Sequence, residues 1–404
     1  MSTFKKKKLE SNILAVIDIW SYKIRVAICE FNLEDVKLLG FSEKRQSNTD
    51  IINNEIINLE WICENISLAI KKAEEKAQVK TTKIIINPVF WTTFFYSKNI
   101  SHNRKDIYKL IDEHELKNIA LKIEEISYLS ATKKIFKDYL YPAWDLEVIV
   151  SNVSQIKIDK NVVKDPIWEN WKKISFNLLN IFLSKNNIEL LNYISKYIKK
   201  DIVKILPEEF CLSKIWEKDK KVTIIDIWNS SSYVTIKESI WNILWSIKIW
   251  VWIESLIKII QENSDLSRAE IIKKINRDDF FKIEKKEFLN IFCFLISQAL
   301  SEISWTKIVP NNFFIIWWGW NNLFLKQYIE KYDFSKHITI NSKIKFIIPN
   351  ISKIWKIDNV EQILNSSNLN LIAMILTYKD IIKHQTNKVE VFLQKAIKEI
   401  LEKS

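Results

Sequence analysis

Glycine is almost missing from this chain, with two in 404 residues beside 17 tryptophans, where an ordinary sequence carries about 7% glycine. Only glycine takes φ > 0 cheaply and lets a backbone come close to a ligand, so tight turns and phosphate-facing loops are where its loss is felt. The tryptophans stand in such places. Asp18-Ile19-Trp20-Ser21, Asp226-Ile227-Trp228-Asn229 and Trp317-Trp318-Gly319-Trp320-Asn321 each sit in a turn-like setting beside an apolar strand. Tryptophan is the side chain least able to replace glycine there. Some AT-rich bacteria decode UGA as glycine, and a translation table that reads UGA as tryptophan writes this pattern. The five arginines among 61 Lys plus Arg fit such a genome. We therefore read most of these tryptophans as glycines; the competing reading is a natural tryptophan-rich protein such as a carbohydrate binder.

Length and 48% hydrophobic content predict two or more domains around a sizeable core. Cys29, Cys63, Cys211 and Cys293 are far apart and form no CxxC pair, so neither a zinc site nor a disulfide framework is expected, and the compartment reads as reducing. Lys5 to Lys8 precede an apolar run broken by Asp18 and Lys23, which argues against a secretory signal. The apolar stretch Phe288 to Leu300 is too short to span a bilayer and reads as a core helix. Net charge is +12, but lysine is spread along the whole chain and is not interleaved with base-stacking aromatics, so no nucleic-acid partner is expected. Favourable electrostatics with an anionic membrane remain. His102, His114, His337 and His384 have no metal-ligand spacing.

Residues Ile13 to Ile28 read as an apolar strand ending in Asp18, a short turn and a second strand; Val222 to Ile236 repeats the pattern, with Asp226 standing 208 residues after Asp18. Two such units are what a duplicated α/β nucleotide-binding fold looks like, both turns facing one cleft. Helical spacing runs through Asn54 to Val79 (Ile57, Trp61, Ile62, Ile66, Ala69, Ile70, Ala73) and Asn187 to Lys199, with a strand at Thr82 to Val89. Phe313 to Ile316 reads as a strand entering the tryptophan-rich loop, and Asn321 to Lys331 as the helix it opens, a ready anion site once the loop is glycine.

With glycine restored, the three stretches resemble the phosphate-1, phosphate-2 and adenosine motifs of the ATPase superfamily shared by actin and the heat-shock chaperones. Within it the chain resembles the FtsA family of bacterial cell-division proteins through nearly its whole length. Asp18-Ile-(glycine)-Ser21-Tyr22-Lys23 is similar to DIGTSK, Asp165-Pro166-Ile167-(glycine)-Glu169-Asn170-(glycine) to NPxGxxG, and Ala269-Glu270-Ile271-Ile272-Lys273 to AExLK. Ile344 to Pro349 resembles VRIGxPxxIxG, with Ile347 where the family has glycine.

The resemblance implies a duplicated actin-like, ribonuclease H-like ATPase fold with an inserted 1C subdomain. Its parts would be 1A at 12–81 and 163–220, 1C at 82–162, 2A at 221–264 and 305–381, and 2B at 265–304. It implies ATP and Mg²⁺ bound by Asp18, Trp20, Ser21, Lys23, Asp226, Trp228, Asn229, Ser230, Ser231, Glu270, Lys273, Trp317, Trp318, Gly319 and Trp320, the tryptophans read as glycine. Asp18 and Asp226 would hold the metal through water, as a hard cation prefers. It also implies self-association into filaments, FtsZ as partner, and a cytoplasmic location on the inner face of the membrane. One departure bears on catalysis: Tyr233 replaces a family aspartate, and a phenol with a pKa near 10 is no carboxylate at neutral pH. At most a weak ATPase is expected. A PilM-like protein of type IV pilus assembly, which shares the insertion but not the NPxGxxG signature, and a sugar or acetate kinase are the alternatives.

The stretch 387–404 places Val389, Phe392, Leu393, Ala396, Ile397, Ile400 and Leu401 on one helical stripe behind an Asn387/Glu390 capping box. The resemblance makes Val389, Phe392, Leu393, Ile397, Ile400 and Leu401 a membrane-binding face. On physics alone its three glutamates and lack of arginine better suit a helix docked on its own protein or paired as a coiled coil. The tryptophan reading has a direct check in the gene: we expect UGA at codons 20, 228, 317 and 318, and UGG there would refute it.

Overall fold

The computed structural model describes residues 12–20, 23–47, 50–52, 55–88, 93–104, 108–163, 166–167, 172–216, 220–227, 232–238, 243–249, 253–275, 280–304, 309–317, 323–338, 343–347, 357–364, 368–384 and 391–392. The first half opens with β1 (Asn12–Ile19), β2 (Lys23–Phe31) and β3 (Val36–Arg45), joined antiparallel in sequence. A short hairpin, β4 (Ile51–Ile52) and β5 (Glu55–Ile56), leads into α1 (Leu59–Ala77). β6 (Lys83–Ile86) then lies parallel to β1 on its other side. Leu14 to Ile19 are buried without alternation, the pattern of a strand covered on both faces.

The α1 helix packs on β3 at Gly40. A Cβ there would meet the carbonyl oxygen of Ala73 at 2.4 Å and the nitrogen of Ala77 at 2.8 Å, so the helix can come this close only over a residue without a side chain. Ile62, Ile66, Ala69, Ile70 and Ala73 face the core as expected, whereas Ile57 and Trp61, expected on the same face, are more than half exposed. They sit at the helix start, where the Asn58 side chain accepts the Trp61 N–H and turns the chain away from the sheet.

The insertion forms its own layer pair. β7 (Phe94–Asn103), α2 (Glu113–Tyr139), β8 (Leu146–Ile158), β9 (Asn161–Val163) and β10 (Lys173–Ser184) make a sheet in the order β7-β10-β8-β9 with α2 packed against it. β6 belongs to the first half, and β10 is paired along its length with β7 and β8 inside the insertion, so the inserted sheet runs from 94 to 184.

The chain returns through α3 (Lys185–Ile198), β11 (Asp201–Ile205), which extends the first sheet beyond β6, and α4 (Glu208–Lys214). Helices α1, α2 and α3 all end left-handed on residues other than glycine: Gln78 (φ 54), Leu140 (φ 60) and Lys199 (φ 54). Each costs on the order of 1–2 kcal/mol relative to glycine. The second half repeats the first, with β12 (Val222–Ile227), β13 (Ser232–Lys237) and β14 (Ile243–Ile249) antiparallel in sequence. After α5 (Ile253–Glu262), α6 (Arg268–Ile275) and α7 (Lys282–Ser304), β15 (Asn312–Trp317) lies parallel to β12. α8 (Leu323–Lys331) and β16 (Lys345–Phe346), parallel to β15, complete the sheet. Within this stretch Phe288, Leu289, Phe292, Cys293, Ile296, Ala299 and Leu300 form the buried face of α7, as expected of a core helix, while Ile291 and Phe294 are exposed. No helix among the described residues is long and apolar enough to cross a membrane.

The orders β11-β6-β1-β2-β3 and β16-β15-β12-β13-β14 are the same topology twice, β17 (Ile357–Asp358) adding to β3 in the first. Between the two sheets lie α4 and α9 (Leu369–His384). Their side chains share one core with Leu14, Val16, Ile224 and Phe314, strands of both halves included.

In the insertion Glu124 of α2 is fully buried, accepting hydrogen bonds from Asn180 Nδ2 (2.7 Å) and Ser151 Oγ (3.2 Å). Burial pushes its carboxyl up to about 7 against those bonds. An acid whose folded pKa is raised keeps its proton in the fold, so its contribution is complete below the ordinary 4.5 and is lost as pH climbs through 7. We expect Glu124→Gln to gain on the parent by about 3 kcal/mol between those two pH values, read by urea unfolding at each pH; parallel curves would contradict it.

Candidate functional site

The site is built around the end of β1. Asp18, with no exposed surface, is ion-paired with Arg25 across the hairpin at 2.6 Å, the two being register partners in β1 and β2. Two asparagines complete the cage: Asn87, just after β6, and Asn370, in the first turn of α9, donate to Asp18 Oδ1 at 2.9 and 2.8 Å. Asn87 Oδ1 also accepts the Ile19 N–H at 2.8 Å, fixing the strand end. Arg25 reaches Asn368 Oδ1 at 3.5 Å. Burial raises the Asp18 carboxyl, and Arg25, Asn370, the Trp20 side chain and Lys23 oppose it in that order.

The turn itself is tight. The Trp20 N–H donates to the Lys23 carbonyl at 2.9 Å, leaving Ser21 and Tyr22 as the connection, and two-residue hairpins of this kind favour residues that accept φ > 0. The Gln46 amide donates to the Trp20 carbonyl. The half-buried Trp20 indole lies over the Arg25 guanidinium, 3.7 Å from ring centroid to Cζ. An indole thus occupies the space beside Asp18 that a glycine would leave open.

The second half brings its counterpart to the same place. Asp226 is buried at the end of β12, opposite Tyr233 of β13. β12 and β15 are parallel, with Ile227 opposite Trp317, so the second aspartate turn and the tryptophan-rich loop leave the same sheet edge. Glu208, at the first position of α4 between the halves, joins the two aspartates electrostatically. Its carboxyl is raised well above the usual range by burial, then by the charges of Asp226, Asp18 and Glu209, with Arg25 opposing. Burial likewise pushes Glu209 up to about 7. Asp18 and Asp226 offer the carboxylate oxygens that a hard dication prefers, and Glu208 beside them feels the charge of both. Among the described residues no group of three or more metal-ligating side chains is found.

Other expected site residues are placed differently. Lys23 is nearly buried and ion-paired with Glu43 at 2.9 Å, its charge still reaching Asp18. Glu270 accepts the Ser267 N–H and hydroxyl at 2.9 and 2.7 Å, a capping box that begins α6. Lys273 is exposed on the same helix. Trp317 ends β15. Ser21, Trp228, Asn229, Ser230, Ser231, Trp318, Gly319 and Trp320 lie outside the described residues, as do Asp165, Trp168 to Trp171, Val389, Leu393, Ile397, Ile400 and Leu401. Pro166 and Ile167 are buried, Ile167 in the core of the insertion. Sequence reasoning missed Arg25, Asn87, Asn370 and Glu208. Arg25 had a signal, a charge in the middle of an apolar strand; the others had none beyond following a strand or opening a helix.

No protein-family model and no curated protein matches the chain. Among solved structures it is similar to a chain of the PilM-PilN type IV pilus biogenesis complex, with TM-score 0.56 and 8% identity over 96% of this chain and 99% of that one. The fold is that of the actin-like ATPases. The ethanolamine utilization protein EutJ from Carboxydothermus hydrogenoformans (TM-score 0.46, 6% identity, 90% and 88% coverage) and a diol dehydratase-reactivating factor (0.49, 9%, 91% and 100%) are further similar structures.

The Asp18–Arg25 pair is breakable from one side. Arg25→Met would leave a buried carboxylate without its partner, and we expect a loss of about 3–5 kcal/mol in urea unfolding. A loss below about 1 kcal/mol would mean that the pair does not hold the turn.

Proposed function

We propose that this chain binds ATP with Mg²⁺ between its two halves and acts as a membrane-facing scaffold of the FtsA kind, self-associating into filaments and holding FtsZ at the inner face of the membrane. The observation that carries the nucleotide part is the convergence of two topologically equivalent hairpins, each with a buried aspartate at the strand end, on one inter-half helix whose Glu208 feels both. Asp18 and Asp226 would hold Mg²⁺ through water, and the ion would offset phosphate charge. The turn at 20–23 and the loop at 228–231 would offer backbone N–H groups to the phosphates once they are glycine. Tyr233 faces Asp226 across the ladder where a carboxylate would serve as metal ligand or base, which supports slow hydrolysis and a role set by nucleotide binding.

The scaffold part rests on the resemblance of segment 165–171 to the FtsA signature and on the amphipathic stretch 387–404. A PilM-like role in pilus assembly is the second reading. The inserted subdomain is common to both families, and the partner separates them: FtsZ filaments co-pelleting with the chain on vesicles favour the first, and their absence from the pellet favours the second.

The test of the nucleotide site is calorimetric. We expect Trp→Gly at positions 20, 228, 317 and 318 together to confer ATP binding that needs Mg²⁺ and is lost again with Asp226→Ala. A restored protein that is folded and gives no heat on titration would overturn the proposal.

A further inference from the structure

The amphipathic stretch near the C-terminus carries one apolar stripe, and Phe392, a member of it, is already in use. Residues 391–392 are helical and half-buried, and the Phe392 ring packs against the apolar core of the inserted subdomain. That core includes Leu116, Ile119 and Ile123 of α2, Ile156 of β8 and Phe176 of β10, and Val163 of β9 also packs against it.

We infer that the inserted subdomain is the docking seat of the chain's own segment 387–404, and that the segment reaches a lipid surface only by leaving it. Three observations carry this. Phe392 sits on the seat. By helical spacing Val389, Phe392, Leu393 and Ala396 share one face, so the face that meets the subdomain is the face that would meet lipid. The third is reach: Phe392 follows the last residue of α9, His384, by eight positions, a span of at most about 28 Å. A tether that short holds the segment at an effective concentration on the order of millimolar. The occupant is therefore this segment in the same molecule. Docked, the segment screens both its own stripe and the part of the inserted subdomain's core that Phe392 packs against, so membrane attachment and exposure of that core occur together. The membrane half of this inference rests on the reading given above; the docking half does not.

The full-length chain tests it through vesicle pelleting and hydrogen exchange. Val163→Asp damages the seat at its half-exposed rim and leaves the segment unchanged. We expect it to raise pelleting with phosphatidylglycerol vesicles about tenfold, the effect of losing roughly 1.4 kcal/mol of docking, and to speed amide exchange at 116–123 and 391–392. Phe392→Asp should speed exchange at 116–123 and lower pelleting below the parent. Val163→Asp with unchanged exchange at 391–392, together with Phe392→Asp with unchanged exchange at 116–123, would overturn the proposal. Protection that vanishes on dilution would overturn it too, in favour of a seat for a second copy's segment. If exchange changes as expected but no variant pellets, the docking stands and the membrane reading falls.

Discussion

A carboxylate and a guanidinium 2.6 Å apart, both without exposed surface, hold the centre of this molecule. Neither can leave water alone without a large penalty, so each fixes the other and recruits whatever donors and acceptors lie within reach. Asp18 takes Asn87 from the strand next to β1 and Asn370 from α9, and Arg25 takes Asn368 ahead of that helix. The result is that β1, β2, the end of β6 and the start of α9 meet at one polar knot inside an apolar sheet. Because α9 also shares its core with strands of the second half, the helix that meets this knot packs on both sheets.

The same constraint explains the charge balance of the cleft. Glu208 begins α4 where both aspartates act on it, and burial first, then their charges, raise its carboxyl well above the usual range. Arg25 offsets part of it. A divalent cation would offset the rest, and the anion that usually accompanies such a cation would find two turns facing it. Glycine at those turns is a requirement of that arrangement rather than a detail of composition: Trp20 leans on Arg25 and fills the place beside Asp18.

Much of this was legible in the sequence. The two Asp-ended hairpins, the duplication they imply, the helices on the Ile62 and Leu191 faces and the buried run of α7 all follow from periods of two and 3.6 residues and from turn residues. What was not legible depended on partners far away in the chain. β10 looks like any apolar strand, and only its pairing with β7 and β8 assigns it to the insertion. Asn87 and Asn370 carry no periodic signal and gain meaning only when a buried carboxylate lies between them. Lys23 read as a phosphate ligand because of its place in a motif, while its ion pair with Glu43 on the neighbouring strand had no signal in the sequence. Phe392 is the mirror case: its amphipathic spacing was plain, while the surface it meets was not.

The central claim is that both aspartate turns face one nucleotide once glycine stands in them. A crystal structure of the chain with glycine at 20, 228, 317 and 318, grown with Mg²⁺ and a non-hydrolysable ATP analogue, tests it most directly. The account predicts phosphate density between the 20–23 and 228–231 turns, with the metal within one water of Asp18 and Asp226. Density for the analogue elsewhere, or an empty cleft with Asp18 still closed on Arg25 at saturating analogue, would contradict it.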